Sequence, residues 1–317
     1  MWMEGSTSGV YRMWFQHMDI NRIPFYQYNT IIVGTGAAGL NAAVTLHKLG
    51  QKNIALITEG RYMGTSRNTG SDKQTYYKMT QCGSEPDSVR KMAKTLFEGG
   101  CVDGDIAMAE AAGSLRAFYH LVDIGVPFPF NKSGEYVGYK TDHDPLKRGI
   151  SAGPLTSKYM TECLERQAEE RGIPFFDGYQ AVRLLTEEKD GEKRAAGIIA
   201  LNKQKAASPD ERYAVFSAVN IIWATGGEAG MYQASVYPVS QTGGMGVLLE
   251  AGAVAKNLTE SQFGIASVKH RWNLSGTFQQ CLPRYLSAEQ DGSHEREFLN
   301  DYFDTPRQLL TAVFLKG

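Results

Sequence analysis

Between residues 28 and 60 the spacing of apolar positions changes from strand-like to helix-like and back. Thr30-Ile31-Ile32-Val33 is a short, apolar, β-branched run, the pattern of a parallel strand buried on both faces. Leu40 to Leu49 carries apolar residues at helical spacing, and Gly50 stops the helix. Ile54-Ala55-Leu56-Ile57 predicts a second buried strand, ending at Glu59.

Further along, Val89, Met92, Leu96 and Phe97 follow a start at Pro86-Asp87-Ser88 at helical spacing. A second helix opens at Asp105 and ends near Gly125-Val126-Pro127. Lys158 to Arg171 is a third, closed by Gly172. Pro174–Asp177, Gln180–Leu185, Ala195–Leu201 and Tyr213–Ala218 are short strand-like runs. Charged turns at Glu187–Lys193 and Lys203–Arg212 separate them, which predicts a β-meander. Asn220 to Gly227 reads as a buried strand ending in small residues, as needed where backbone meets a flat ligand. Gly243 to Gly246 opens a short helix, Val247 to Ala251. Strands alternating with helices make this an α/β chain.

The turn between first strand and first helix is Gly34-Thr35-Gly36-Ala37-Ala38-Gly39, a G-x-G-x-x-G pattern. Gly34 permits a tight turn, Gly36 lets a pyrophosphate approach the backbone, and Gly39 lets the helix pack close to the sheet. The helix start offers N–H groups and the positive dipole end to an anion. Glu59 closes the second strand, where its carboxylate can accept hydrogen bonds from a ribose. Strand, helix, second strand and terminal acid together predict a dinucleotide site, open to either NAD or FAD.

Composition narrows the class. Charges balance to −1 over 317 residues, which argues against a general nucleic-acid or membrane-surface binder. No apolar run approaches the roughly 20 residues that span a bilayer. Residues 1–27 lack a signal peptide's order of basic, apolar and small segments and read as a leader. Cys82, Cys101, Cys163 and Cys281 are widely spaced, as expected for reduced thiols in the cytoplasm. Asp142, His143 and Asp144 suggest a metal, but neighbours in a loop seldom all point inward, and no metal is expected. The polar loop from Arg61 to Gln74 follows the second strand and can reach a bound cofactor.

The order of motifs resembles the flavoprotein subunits of fumarate reductase and succinate dehydrogenase, with L-aspartate oxidase as a relative. GTGAAGL at the first turn and TEG at the ribose strand are similar to that family's FAD fingerprint. WATGGEAGMYQ at 223–233 looks like its ATGG segment, QTGGMGVLLEAGA at 241–253 like its T-G-D-G-x-G element, and LTESQFGIAS at 258–267 like its Q-F-H-P-T stretch. The resemblance covers residues 28 to 310. It implies a doubly wound Rossmann-type FAD-binding domain (28–265, incomplete) carrying the β-meander insertion, and the beginning of a capping domain (266–317).

The resemblance also implies the site. Gly34, Gly36, Ala37, Ala38, Gly39, Glu59 and Gly60 would hold FAD. Thr65 and Ser66 would approach its pyrophosphate or ring, Ala181 the adenine, and Ala224, Thr225, Gly226 and Gly227 would flank it. Gln262, Phe263, Thr277 and Arg284 would meet a small carboxylate substrate, and Arg307, after Glu295-Arg296-Glu297-Phe298, would be the proton donor. A surface or helix-cap charge is the other reading of Arg307. Electrons would come from a partner protein or a soluble donor.

Four positions depart from the family pattern. Arg67 stands where respiratory members carry the histidine that bonds FAD, which implies non-covalent FAD. Asp72-Lys73-Gln74 replaces a Q-G-G, Gly244 the aspartate of T-G-D-G, and Gly264 the histidine of Q-F-H-P-T. The implied function is an FAD-dependent oxidoreductase passing a hydride between flavin N5 and a small carboxylate or enoate. The other reading is a non-catalytic or split FAD-binding fragment that needs a second polypeptide.

Overall fold

The computed structural model describes residues 22–70, 74–83, 85–100, 102–141, 144–227, 243–256, 266–267, 272–273, 279 and 281–316. In chain order they form β1 (Phe25–Val33), α1 (Ala37–Lys48), β2 (Ile54–Thr58), the one-turn α2 (Thr65–Asn68) and β3 (Tyr76–Tyr77). Next come α3 (Val89–Glu98), α4 (Gly104–Asp123), β4 (Gly149–Ile150), α5 (Thr156–Glu170) and β5 (Phe175–Asp177). Then follow β6 (Tyr179–Lys189), β7 (Glu192–Asn202), β8 (Tyr213–Trp223), α6 (Met245–Glu250), β9 (Ala266–Ser267), β10 (Trp272–Asn273) and α7 (Pro306–Lys316). Two compact units result: residues up to Thr69 with Ser157–Ala255, and Gly70–Thr156 with residues from Lys256 onward.

The first unit is built on a six-stranded sheet in the order β5-β2-β1-β8-β7-β6. Strands β5, β2, β1 and β8 run parallel, and β8, β7 and β6 form the antiparallel meander. Ile31, Ile32, Ile54, Leu56 and Ile57 are buried, as their unbroken apolar runs require. Tyr26, Phe176, Tyr179 and Phe216 pack ring against ring on one face, with centroids 4.7–5.9 Å apart.

Three elements of the six-stranded sheet differ from the reading of the sequence. β1 starts at Phe25, because Phe25 to Tyr28 pair only with β8 and lie beyond the reach of the shorter β2. β8 is one strand of 11 residues. Its first half closes the meander on β7 and its second half completes the parallel sheet on β1. The charged stretch 187–193 is mostly strand. It turns over Asp190 and Gly191 alone, with φ +56° and +77°, the backbone of a two-residue type I′ hairpin.

In the second unit α3 and α4 pack through Met92, Ala93, Ala107 and Ala111. Ser88 caps α3 by accepting from the Lys91 N–H at 3.1 Å. Asp103, two residues before the expected start, caps α4 by accepting from the N–H groups of Asp105 and Ile106. Arg148 is fully buried. It grips Asp87 through Nε at 2.9 Å and Nη2 at 2.8 Å, and donates to Thr95 at 2.9 Å and to Tyr77 at 3.2 Å.

Candidate dinucleotide site

The site in the first unit begins where β1 hands over to α1. Gly34 leaves the strand at φ +107°, and a Cβ there would stand 2.3 Å from the Ala224 carbonyl oxygen. The Gly34 N–H donates to Ile57 O and the Ala224 N–H to Val33 O, each at 2.8 Å. The ends of three adjacent strands are thus tied at one level. A Cβ on Gly39 would meet Gly34 O at 2.0 Å, so α1 starts hard against the turn. Its N-cap, Gly36, brings no side chain to the first-turn N–H groups, which leaves those of Ala38 and Gly39 for an anion. The Ala37 N–H donates to Ser66 Oγ at 3.3 Å.

Around this helix start lies a cavity of about 250 Å³. Gly34, Gly36, Ala37, Ala38, Glu59, Gly60, Ser66, Ala181, Ala224, Thr225 and Gly226 line it. All had been assigned to the cofactor from the sequence. Gly39, Thr65 and Gly227 are not among the lining residues; Gly39 acts from behind, through the turn.

The remaining lining residues are not among those assigned to the cofactor. Thr35 and Thr58 bridge the first turn to the end of β2, Oγ1 to Oγ1 at 3.0 Å. Met63 and Gly64 come from the loop after Glu59, and Tyr179 and Gln180 from the start of β6. Burial, together with the neighbouring Tyr26, pushes the Tyr179 phenol up to about 12. Trp223, Gly243 and Gly244 complete the wall. A Cβ on Gly244 would stand 2.6 Å from Thr225 Oγ1 and 2.7 Å from Trp223 Nε1. With Trp223 in this place, the aspartate of T-G-D-G has no room. Trp223 Nε1 is itself buried with no acceptor among the described residues.

Glu59 is half-exposed, and its Oε1 accepts from Lys203 Nζ at 2.8 Å. Lys203 sits just past β7, 144 positions away, and nothing in the sequence marks it. A carboxylate offers about four lone-pair sites, so this bond leaves acceptor capacity for a ribose. The uncapped helix start, the close backbone at Gly34 and the acid after β2 fit a dinucleotide: pyrophosphate at the helix, ribose at the acid.

Arg67 points its guanidinium at α5. Its Nη2 donates to Glu165 Oε2 at 2.5 Å, its Nη1 lies 3.9 Å from Glu162, and its Nε is buried with no acceptor among the described residues.

Of the residues assigned to substrate, Arg284 and Arg307 are described, and neither lines this cavity. Arg284 is exposed and bound to Glu297, with Nε to Oε1 at 2.6 Å. Arg307 is exposed in the first turn of α7. Gln262, Phe263, Gly264 and Thr277 lie outside the described residues, as do Asp142 and His143. Asp144 accepts from Tyr77 and faces Arg148. Among the described residues no cluster of His, Cys, Asp or Glu could hold a metal ion. No helix among them is long and apolar enough to cross a membrane.

Residues 29–283 match the family described as FAD binding domain. An L-aspartate oxidase from Agrobacterium fabrum is 28% identical over 242 residues, which is 74% of this chain and 42% of that protein. The 8-methylmenaquinol:fumarate reductase flavoprotein subunit of Wolinella succinogenes is 27% identical over 271 residues, 84% of this chain and 42% of that one. The chain spans less than half the length of either relative. Among solved structures, the open conformation of a flavocytochrome c3 fumarate reductase aligns over all of this chain and 55% of its own, with a TM-score of 0.69 and 18% identity. The Mycobacterium smegmatis Sdh1 complex in the apo form aligns over 73% of this chain and 39% of its own, with a TM-score of 0.63 and 19% identity. Both structural likenesses concern the fold.

Proposed function

The chain belongs to the FAD binding domain family, and from that premise we propose that it acts as an FAD-dependent oxidoreductase on a small carboxylate or enoate. The observation that carries this reading is the pocket at the start of α1. Its helix start with a side-chain-free N-cap, its close-set glycine backbone and its terminal Glu59 meet the needs of a dinucleotide.

On this reading the first-turn N–H groups of Ala38 and Gly39 hold the pyrophosphate, with Gly34 and Gly36 keeping the approach clear. Glu59 accepts from the ribose, Gly60 follows it, and Ala181 meets the adenine through its backbone. Thr65 and Ser66 reach the pyrophosphate or ring, and Ala224, Thr225, Gly226 and Gly227 flank the cofactor. When bound, FAD supplies a hydride donor and acceptor at its flavin ring. Arg67, committed to Glu165, supports non-covalent attachment, since no histidine occupies that position.

The carboxylate substrate rests on the relatives, whose names specify aspartate, fumarate or succinate. Gln262, Phe263, Thr277 and Arg284 are assigned to grip it and Arg307 to donate the proton. Arginine gives up a proton only in a preorganised, dry site. Several relatives are named as subunits, which supports an electron-donor protein as partner. The free thiols Cys82, Cys163 and Cys281 suit the reducing cytoplasm.

The purified chain should show a flavin absorption spectrum, and acid denaturation should release FAD into the supernatant. Anaerobic addition of succinate, fumarate or aspartate to flavin of the matching redox state should then change that spectrum. A protein that stays colourless when mixed with excess FAD would sink the cofactor assignment. Flavin that stays on the precipitate would refute non-covalent binding.

A further inference from the structure

Residues 60–68 make one wall of the pocket, through Gly60, Met63, Gly64 and Ser66. This wall has little to hold it by packing. None of the described residues 60–69 is buried, and Tyr62 and Met63 are exposed. What fastens it is charge on α5. Arg61 Nε donates to Glu165 Oε1 at 2.6 Å, and Arg67 Nη2 donates to Glu165 Oε2 at 2.5 Å. One carboxylate, 7% exposed, therefore ties both ends of the wall, each oxygen serving one arginine.

The two ends are not equally secured. Arg61 has further partners: Glu169, and the Phe175 ring 4.1 Å from its guanidinium carbon. Its backbone N–H also donates to Asp177 at 2.9 Å. Among the described residues, Arg67 has besides Glu165 only a distant second carboxylate, Glu162 at 3.9 Å, and a ring contact with Tyr62. Its Nε already lacks an acceptor. Buried guanidinium groups stay in place only while paired. Removing the negative charge of Glu165 would thus free the Arg67 end first, and that end carries Ser66, whose Oγ meets the Ala37 N–H at 3.3 Å.

We propose that Glu165 is a positioning residue for the cofactor: by holding Arg61 and Arg67 it sets residues 60–68 against the start of α1 and so shapes the pyrophosphate end of the pocket. The proposal rests on the reading of that pocket as the FAD site. It also gives Arg67 a role of its own at the position from which the respiratory relatives' histidine is missing.

The test uses Glu165→Gln in the full chain, with Glu162→Gln as control and two readouts. FAD affinity is measured by titration. The exposure of the wall is measured by limited trypsin digestion without FAD, since trypsin cuts after Arg61 and Arg67. Glu165→Gln should bind FAD at least tenfold more weakly and be cut at Arg67, and then at Arg61, under conditions where the parent chain and Glu162→Gln resist. Unchanged FAD affinity would overturn the proposal. So would weakened affinity with both arginines still protected, since the loss would then not come from this wall. Should Glu165→Gln fail to fold, Arg67→Gln, which keeps the Arg61–Glu165 pair but removes the trypsin site at 67, repeats the FAD titration alone, and unchanged affinity in it would equally overturn the proposal. If the parent chain takes up no FAD, the cofactor reading fails, and protection of Arg61 and Arg67 in Glu165→Gln would separately refute the anchoring role.

Discussion

Glu59 and Lys203 separate what a residue can be worth from how close it stands. Their ion pair measures 2.8 Å, but the side chains are 30% and 42% exposed. Exposed pairs contribute about 0–1 kcal/mol. Lys203→Met should therefore change FAD affinity by less than about 1 kcal/mol. Glu59→Ala removes a charged acceptor for ribose hydroxyls and should cost about 1.5–3 kcal/mol of binding. Calorimetric titration of the two variants decides the matter. Equal losses would mean that the pair, and not the ribose contact, does the binding. At this scale the sequence was readable wherever backbone geometry demands a particular residue. Gly34, Gly36 and Gly39 could be found because a Cβ there collides with backbone or would obstruct the ligand's approach. Lys203 and Tyr179 could not, since any of several side chains would satisfy the backbone at those positions, and only the folded sheet brings Tyr179 to the pocket and Lys203 to Glu59.

The elements around the site were legible for a related reason: β1, α1 and β2 each have one unambiguous apolar period. β8 was harder. Ser217 and Asn220 interrupt the apolar run, so the sequence suggests two strands. The interruption marks a change of neighbours, since β7 pairs only as far as Ser217 while β1 pairs as far as Trp223. The Asp190-Gly191 turn hid within a charged stretch, yet both residues have positive φ. Gly191→Ala should cost about 1–2 kcal/mol of stability and leave FAD affinity intact, because the hairpin end contributes nothing to the pocket lining. Gly39→Ala should do more harm to binding. Its Cβ would fall 2.0 Å from Gly34 O, so α1 must move off the turn, carrying its N–H groups with it. We expect at least a tenfold rise in the Kd for FAD, or about 1.4 kcal/mol. Urea unfolding and FAD titration of both variants would show whether stability and binding separate in this way.

For the molecule as a whole, the second unit shows how far a linear reading reaches. Its helices α3 and α4 are legible from periodicity and capping residues, but α7 and the charge network that fixes the loops to α3 are not. Tyr77, Asp87, Thr95, Asp144 and Arg148 come from four separate segments and converge only on folding. Burial pushes the Asp87 carboxyl up, but bonds from Arg148 and from the backbone N–H groups of Ser88 and Thr80 outweigh it and hold it below the ordinary carboxylate range. A carboxyl depressed in the fold adds stability that is complete above its unfolded pKa of about 3.9 and is lost as pH falls through the lower folded value. Arg148→Met reverses the sign for this group. Asp87, 1% exposed, would then be a buried charge without its guanidinium, and its pKa would rise instead. The variant should be less stable by about 3–5 kcal/mol near neutral pH, the scale for a broken buried pair. Acid should relieve it, because protonating Asp87 removes the stranded charge, whereas the parent chain gains nothing from that proton. The stability gap between the two proteins, from urea unfolding followed by circular dichroism, should accordingly narrow as pH falls from 7 to 4. A gap that stays constant over that range would mean that Arg148 stabilises by filling space and not by holding Asp87 ionised.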